Sequence, residues 1–224
     1  MKLITVNASV TASNDRDAEA LRTRLREAGT LLINVMSSPG AGKTALISRL
    51  IRDLPGLNIG VLEADIESDV DARRIEALGA AAIQVHTSGM CHMDAGMTEQ
   101  ALNTMGSDHT DLIFLENVGN LICPAEYDTG AGLNVMLLSV PEGDDKPLKY
   151  PLMFQKSDAL IVTKTDALPY FDFDLTACTD RARRLNPAIQ IFPVSAKTGD
   201  GMPELERWLS ARLSDWRTRP KPSP

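Results

Sequence analysis

The sequence predicts a single α/β domain in which a mostly parallel central sheet is covered by helices on both faces, with an N-terminal helix ahead of it. Two observations carry this. Short, continuously apolar runs alternate with amphipathic segments along most of the chain, the pattern of strands buried on both sides. The first of those runs, Leu31-Leu32-Ile33-Asn34-Val35-Met36, feeds into a glycine-rich turn, Ser37-Ser38-Pro39-Gly40-Ala41-Gly42-Lys43-Thr44, and then into the amphipathic Ala45-Leu46-Ile47-Ser48-Arg49-Leu50-Ile51. Strand, glycine turn and helix in that order make the phosphate cradle of a P-loop NTPase. Main-chain N–H groups around Gly40, Ala41 and Gly42 face the anion, Lys43 reaches the outer phosphates, and Thr44 offers a hydroxyl to Mg²⁺. The opening position of this pattern is ordinarily Gly. Here it is Ser37, so the loop must open with a negative φ.

The elements follow in order. A helix is predicted over 14–28, with Ser13 or Asn14 as N-cap, Gly29 as stop, and Ala18, Leu21, Leu25 and Ala28 as one narrow apolar stripe. After the phosphate loop come strand 57–63, helix 68–78, strand 81–85, helix 93–105 and strand 112–116. Strand 133–140, helix 147–155, strand 159–163, helix 173–185, strand 189–194 and helix 203–213 complete the pattern. The resulting division is an arm and helix over 1–29, a nucleotide-binding domain over 30–213, and a proline-rich tail over 214–224 that is expected to be disordered.

Bulk properties bound the function. A 224-residue chain with 43% hydrophobic and 24% charged residues is an ordinary globular composition, and its net charge of −7 argues against a broad nucleic-acid or anionic-membrane surface. No apolar run approaches membrane-spanning length and the first residues lack a signal-peptide core, so a cytoplasmic location is expected. Cys91, Cys123 and Cys178 are too few for a disulfide scaffold, leaving thiols, metal ligands or core filler.

Two later segments favour guanine over adenine. Thr163-Lys164-Thr165-Asp166 follows an apolar strand and therefore sits at the carboxyl edge of the sheet, where ligands bind. Asp166 can accept from guanine N1–H and the 2-amino group, a donor pair adenine lacks, and the Lys164 stem can cover the base. The segment is similar to the Asn-Lys-x-Asp signature of GTPases, with Thr163 in the Asn position. Ser195-Ala196-Lys197, after the last strand, matches the second base loop, where the Ala196 N–H would meet guanine O6. Between the phosphate loop and these segments, Glu116-Asn117-Val118-Gly119 has the form of a magnesium and γ-phosphate sensor: a strand-ending carboxylate, Glu116, and a glycine N–H at Gly119. Asp65, closing the second strand, is either a Mg²⁺-linked or water-positioning carboxylate or, equally, a helix N-cap. No Gln follows Gly119. Asn120 is a poor water-positioner, which predicts intrinsic turnover of about one per minute or less.

Cys91-His92, placed at the opening of a helix, and Cys123 beyond Gly119 are thiolate and imidazole ligands suited to Ni²⁺ or Zn²⁺. Three ligands leave a site open to water or shared between two chains, the alternative being buried structural cysteines. Cys123 is the fourth residue after Gly119, so a γ-phosphate that moves Gly119 should move Cys123. Cys178 reads as filler on a helix, His86 as a loop histidine and His109 as solvated.

The motifs at 37–44, Cys91-His92-Met93-Asp94-Ala95, Glu116-Asn117-Val118-Gly119-Asn120-Leu121-Ile122-Cys123-Pro124, and Glu142-Gly143-Asp144-Asp145-Lys146-Pro147-Leu148-Lys149-Tyr150-Pro151 occur in sequence. Together they resemble the HypB family of GTPases, which help insert nickel during [NiFe]-hydrogenase maturation. The resemblance covers roughly 30–210. It implies a slow Mg²⁺-dependent GTPase that dimerises with GTP, holds metal through Cys91, His92 and Cys123, and works with a HypA-type nickel helper and the hydrogenase large subunit. It also gives Lys146 a nucleotide or dimer role. The family's N-terminal Cys-x-x-Cys and His-rich tract have no counterpart in this sequence, so nickel storage is not carried over. The urease-accessory relative UreG carries Cys-Pro-His where Cys91-His92 are adjacent here. A cobalamin-enzyme GTPase chaperone would not be expected to carry both Cys91-His92 and Cys123. A GTP-dependent interaction switch with structural cysteines remains a further alternative.

Overall fold

The computed structural model describes residues 7–64, 70–87, 89–106 and 109–218, with main chain alone at 7–11, 70 and 71. Seven strands, β1 (Leu31–Met36), β2 (Ile59–Glu63), β3 (Ala81–Gln84), β4 (Leu112–Glu116), β5 (Leu133–Ser139), β6 (Ala159–Thr163) and β7 (Gln190–Pro193), form one sheet in the order β3-β2-β4-β1-β5-β6-β7. Every pairing is parallel. Along β5 and β6 successive side chains enter different cores. Val135, Leu137 and Ile161 pack with helix residues such as Leu46 and Leu205, whereas Met136, Leu138, Leu160 and Val162 pack with Met153, Phe154 and Ala182. Each such side chain withdrawn from water contributes about 1.5–3 kcal/mol, which explains why these strands are apolar throughout.

The helices are α1 (Asn7–Ala28), α2 (Lys43–Asp53), α3 (Val70–Glu76), α4 (Ala95–Met105), α5 (Cys123–Glu126), α6 (Lys146–Lys149), α7 (Pro151–Lys156), α8 (Leu175–Leu185) and α9 (Met202–Thr218). Several differ from the sequence expectation for physical reasons. Helix α1 begins at Asn7, so Ser13 and Asn14 lie inside it and cap nothing; the Asn14 amide is engaged elsewhere, with Ala95 and Asp128. The expected helix over 147–155 is two short helices. Pro151 cannot continue the first, and Tyr150 between them leaves helical geometry with ψ of 56°. Helix α9 does not stop at 213. Trp216 is buried and its Nε1 donates to Thr30 O (2.9 Å), while Arg217 Nε donates to Gly29 O (2.9 Å). Residues 214–218 are therefore packed helix, and the remainder of the expected tail, 219–224, lies outside the described residues. Among the described residues, no helix is long and apolar enough to cross a membrane.

Parallel strands place all their carboxyl ends at one edge. In register, Glu63 of β2, Glu116 of β4 and Val35 of β1 stand side by side there, and Ser139 of β5 stands beside Thr163 of β6. The chemistry-bearing loops start from these positions.

Candidate functional site

The loop between β1 and α2 turns through two left-handed glycines, Gly40 (φ 75°) and Gly42 (φ 98°), which an L side chain would strain. This brings the first turn of α2 toward the strand end, leaving its N–H groups free for an anion. Lys43 is buried, and its Nζ donates to Ser37 Oγ at 3.2 Å. The serine in the glycine position thus holds the lysine over the loop, and its own hydroxyl donates to Ser38 O (2.7 Å). Thr44 Oγ1 donates to Glu116 Oε1 (3.0 Å), so the two expected Mg²⁺ ligands already meet. Both are hard oxygen donors, the chemistry Mg²⁺ requires. Gly119 lies against the phosphate loop: a Cβ there would stand 2.8 Å from Pro39 Cγ and 3.0 Å from Pro39 N, so only glycine permits this approach. A cavity of about 420 Å³ is lined by Gly42, Lys43, Thr44, Glu116, Gly119 and Lys164, among others. Asp65 lies outside the described residues.

The base loops converge beside it. Thr163, in the Asn position of the signature, donates from Oγ1 to Ala41 O (2.6 Å) and so braces the phosphate loop. Lys164 takes a left-handed conformation (φ 59°), and its Nζ donates to Gly40 O (2.7 Å), which lays the stem alongside Gly42. Asp166 Oδ1 accepts from the buried Ser195 hydroxyl (2.7 Å), so these two expected base-binding residues meet directly. Ala196 follows Ser195, its carbonyl accepting from Arg49 Nη1 (3.4 Å), and Lys197 is exposed. Glu142, not singled out by sequence reasoning, accepts from the Ser38 hydroxyl and from Ser139 N (2.8 Å) and Oγ (2.7 Å), tying the segment before Lys146 to the phosphate loop.

The second cluster sits on the adjoining loops. Cys91 and His92 precede α4 rather than opening it, because Asp94 is the N-cap: its carboxylate accepts from Met97 N at 2.8 Å. The candidate ligand atoms of Cys91, His92 and Cys123 lie within 4.8 Å of one another, and Cys91 Sγ is 3.8 Å from His92 Nδ1. His92 stacks on Tyr127 with ring centroids 3.7 Å apart and planes 13° from parallel. Its buried Nε2 has no hydrogen-bond partner. Burial lowers the His92 pKa, with the nearby charges of Asp94 and Glu126 opposing, which favours the neutral, metal-competent imidazole. Hydrogen bonding to Cys91, then burial and the Cys91 charge, push the Cys123 thiol up. Two thiolates this close repel, and a cation between them relieves that repulsion. Soft sulfur and imidazole donors with an orphaned buried nitrogen fit Ni²⁺ or Zn²⁺.

Helix α1 braces both halves of this cluster. Asn14 Oδ1 accepts from Ala95 N (3.0 Å), at the start of α4, and Asn14 Nδ2 donates to Asp128 O (2.9 Å), just past Tyr127. Arg22 Nη2 donates to the Asp128 carboxylate, 2.6 and 2.7 Å from its two oxygens. No local motif signals Asn14 or Tyr127, whereas Glu142 closes a Ser139-x-x-Glu142 capping box at the head of the 142–151 motif. Among the described residues, the metal-ligating group does not include His86, which is exposed on the β3 side, or Cys178, which is buried among α7 and α8 residues. His109 is likewise outside the group and lines a separate cleft with Arg24 and Leu102.

A family model described as the nucleotide-binding domain of CobW/HypB/UreG matches residues 31–193. The chain is 44% identical over 209 residues to the hydrogenase maturation factor HypB of Azotobacter vinelandii, covering 93% of this chain and 69% of that protein. It superposes on the crystal structure of Helicobacter pylori HypB in complex with nickel with a TM-score of 0.87 at 36% identity, covering 91% of this chain and 96% of that one. For HypB from Archaeoglobus fulgidus the TM-score is 0.85 at 36% identity, covering 90% and 99%. The chain belongs to the CobW/HypB/UreG nucleotide-binding family and, within it, to the HypB hydrogenase maturation factors.

Proposed function

We propose that the protein is a slow, Mg²⁺-dependent GTPase that carries nickel for insertion into a [NiFe]-hydrogenase, its nucleotide state coupled to dimerisation and to the Cys/His cluster. One observation carries the reading. The donor atoms of Cys91, His92 and Cys123 lie within 4.8 Å of one another, and the loop that carries Cys123 leads from Gly119, which lies against the phosphate loop. Two thiols and one imidazole suit Ni²⁺ or Zn²⁺, and three ligands leave the set open, as a carrier that must release its cargo requires. The same three residues of a second copy, or water, complete it. Exposed Cys91, with Met90 and Ile122 also exposed beside the cluster, leaves room for that second copy.

On the nucleotide side, Lys43 neutralises charge on the outer phosphates and the Gly119 N–H meets the γ-phosphate. Asp166, oriented by Ser195, accepts from guanine N1–H and the 2-amino group, and the Ala196 N–H meets O6, with Lys164 and Lys197 flanking the base. Mg²⁺ would be held by Thr44 and Glu116, with Asp65 the further carboxylate expected from sequence, and would supply charge neutralisation for in-line attack by water. Asn120 Oδ1 accepts from Ile122 N (2.8 Å), so this side chain is turned onto its own loop instead of toward an attacking water. That supports turnover of about one per minute or less. A HypA-type nickel helper and the hydrogenase large subunit, in the cytoplasm, are the partners this role requires.

The test is a Ni²⁺ and Zn²⁺ titration of the metal-free protein with GDP and with a non-hydrolysable GTP analogue, mass being followed by light scattering. Binding that needs Cys91 and Cys123, shifts with nucleotide and accompanies a doubling of mass is expected. Binding in neither state leaves a GTPase switch with structural cysteines.

A further inference from the structure

The cluster is attached to the nucleotide edge by a second route that does not pass along the chain from Gly119 to Cys123. Asn117, next to Glu116, is 1% exposed. Its Oδ1 accepts from Met93 N (3.2 Å), directly after His92, and from Val118 N (2.9 Å). Its Nδ2 donates to Asn34 Oδ1 (2.9 Å) on β1, the strand that delivers the phosphate loop. Asn34 Nδ2 in turn donates to Asn134 Oδ1 (3.0 Å) on β5. Three amides are therefore linked in sequence from the residue just past β4, through β1, to β5. A buried amide is costly unless its bonds are made, and here each bond is specific to one partner.

We infer that Asn117 is a positioning residue that transmits nucleotide state to the Cys91-His92 half of the metal cluster. The inference rests on the GTP-gated carrier reading above. Displacement of the 116–119 segment by a γ-phosphate moves Cys123 through the chain. The same displacement carries Asn117 Oδ1, and Met93 N follows its acceptor, turning the His92 main chain that precedes it. Both halves of the cluster then respond together. Without the amide, Cys123 alone moves and Cys91-His92 stays with α4.

The experiment measures Ni²⁺ affinity by chelator competition in the GDP and GTP-analogue forms of full-length wild type, Asn117→Ala and Asn117→Asp, with thermal melts to establish folding. The quantity read is the ratio of the two affinities, which a general loss of stability does not change. Wild type is expected to give a ratio of roughly 5 to 150, the usual range of coupling between sites. Asn117→Ala should bring it to within about twofold of one while Ni²⁺ still binds, on that same scale. Asn117→Asp keeps the acceptor for Met93 N and should restore most of the ratio. If Asn117→Ala does not fold, Asn117→Ser, polar but too short to reach Met93 N, carries the same expectation. A wild-type ratio above this range of one that survives in the folded Ala or Ser variant overturns the role of Asn117 alone. A wild-type ratio of one overturns both this inference and the gating on which it rests.

Discussion

Three cysteines of one chain occupy three environments, and their chemistry should separate accordingly. Cys178 is fully buried, and burial first, then the charge of Asp144, pushes its thiol up to about 12. At about pH 8 it stays protonated, so a thiol reagent should modify Cys91 and Cys123 in the native protein and Cys178 only after denaturation. Fast native reaction of all three would contradict this environment. Asn14 gives a second expectation. It makes one hydrogen bond to each side of the metal cluster, so Asn14→Ala should weaken Ni²⁺ binding by about tenfold, roughly one such bond, with GTP affinity unchanged. Competition titration and nucleotide binding on the same sample check it. Lys43, Thr44, Glu116, Cys91, His92 and Cys123 could be proposed from the sequence because each belongs to a short motif, and the structure brings them together as two neighbouring groups. The contacts of Asn14, Glu142 and Asn117 could not. Their partners lie 81, 104 and 24 residues away, and no local pattern encodes such a meeting.

At the scale of elements, the strands were readable nearly to the residue because a two-sided buried strand needs an unbroken apolar run. Helix ends were less readable, since packing decides them. Helix α9 runs past Leu213 because Trp216 has a seat beside Gly132, where an added Cβ would come within 2.7 Å of the indole. Trp216→Ala should therefore cost about 3–5 kcal/mol, seen as a lower urea midpoint, although the residue is remote from both sites. Helix α8 offers a pH test. The Asp174 N–H, then Arg181, hold the Asp144 carboxyl below the usual carboxylate range. A depressed pKa contributes stability above that range and loses it as pH falls through it. Urea unfolding should thus find Asp144→Asn less stable than wild type near about pH 7, with the difference shrinking toward about pH 3. A difference independent of pH would assign the effect to packing instead.

For the whole molecule, fold class, strand count and the placement of the nucleotide loops at the carboxyl edge of the sheet were legible before any coordinates, because alternating elements with a phosphate loop admit few topologies. That the Cys91-His92 and Cys123 loops meet was implied by the family resemblance and not by the alternation of elements, since it depends on β4 lying between β2 and β1. Nucleotide binding should stabilise the molecule globally, by about 2.7 kcal/mol at a GDP concentration of a hundred times Kd. Lys43→Ala should lose most of that thermal shift at the same GDP concentration, and an unchanged shift would remove Lys43 from the nucleotide site.

The strand order has a consequence for synthesis. β1, the middle strand, pairs with β4 and β5, so Leu31 waits for Leu112 and Ile33 for Leu133. At translation rates of about 5–20 residues per second, this central strand emerges from the ribosome several seconds before either neighbour exists. By then α1 is already complete, and α2, which follows β1 directly, adds Leu46, Ile47 and Leu50 to the same core. The N-terminal helix, the brace of the metal cluster in the finished protein, is thus the first partner the nascent core meets.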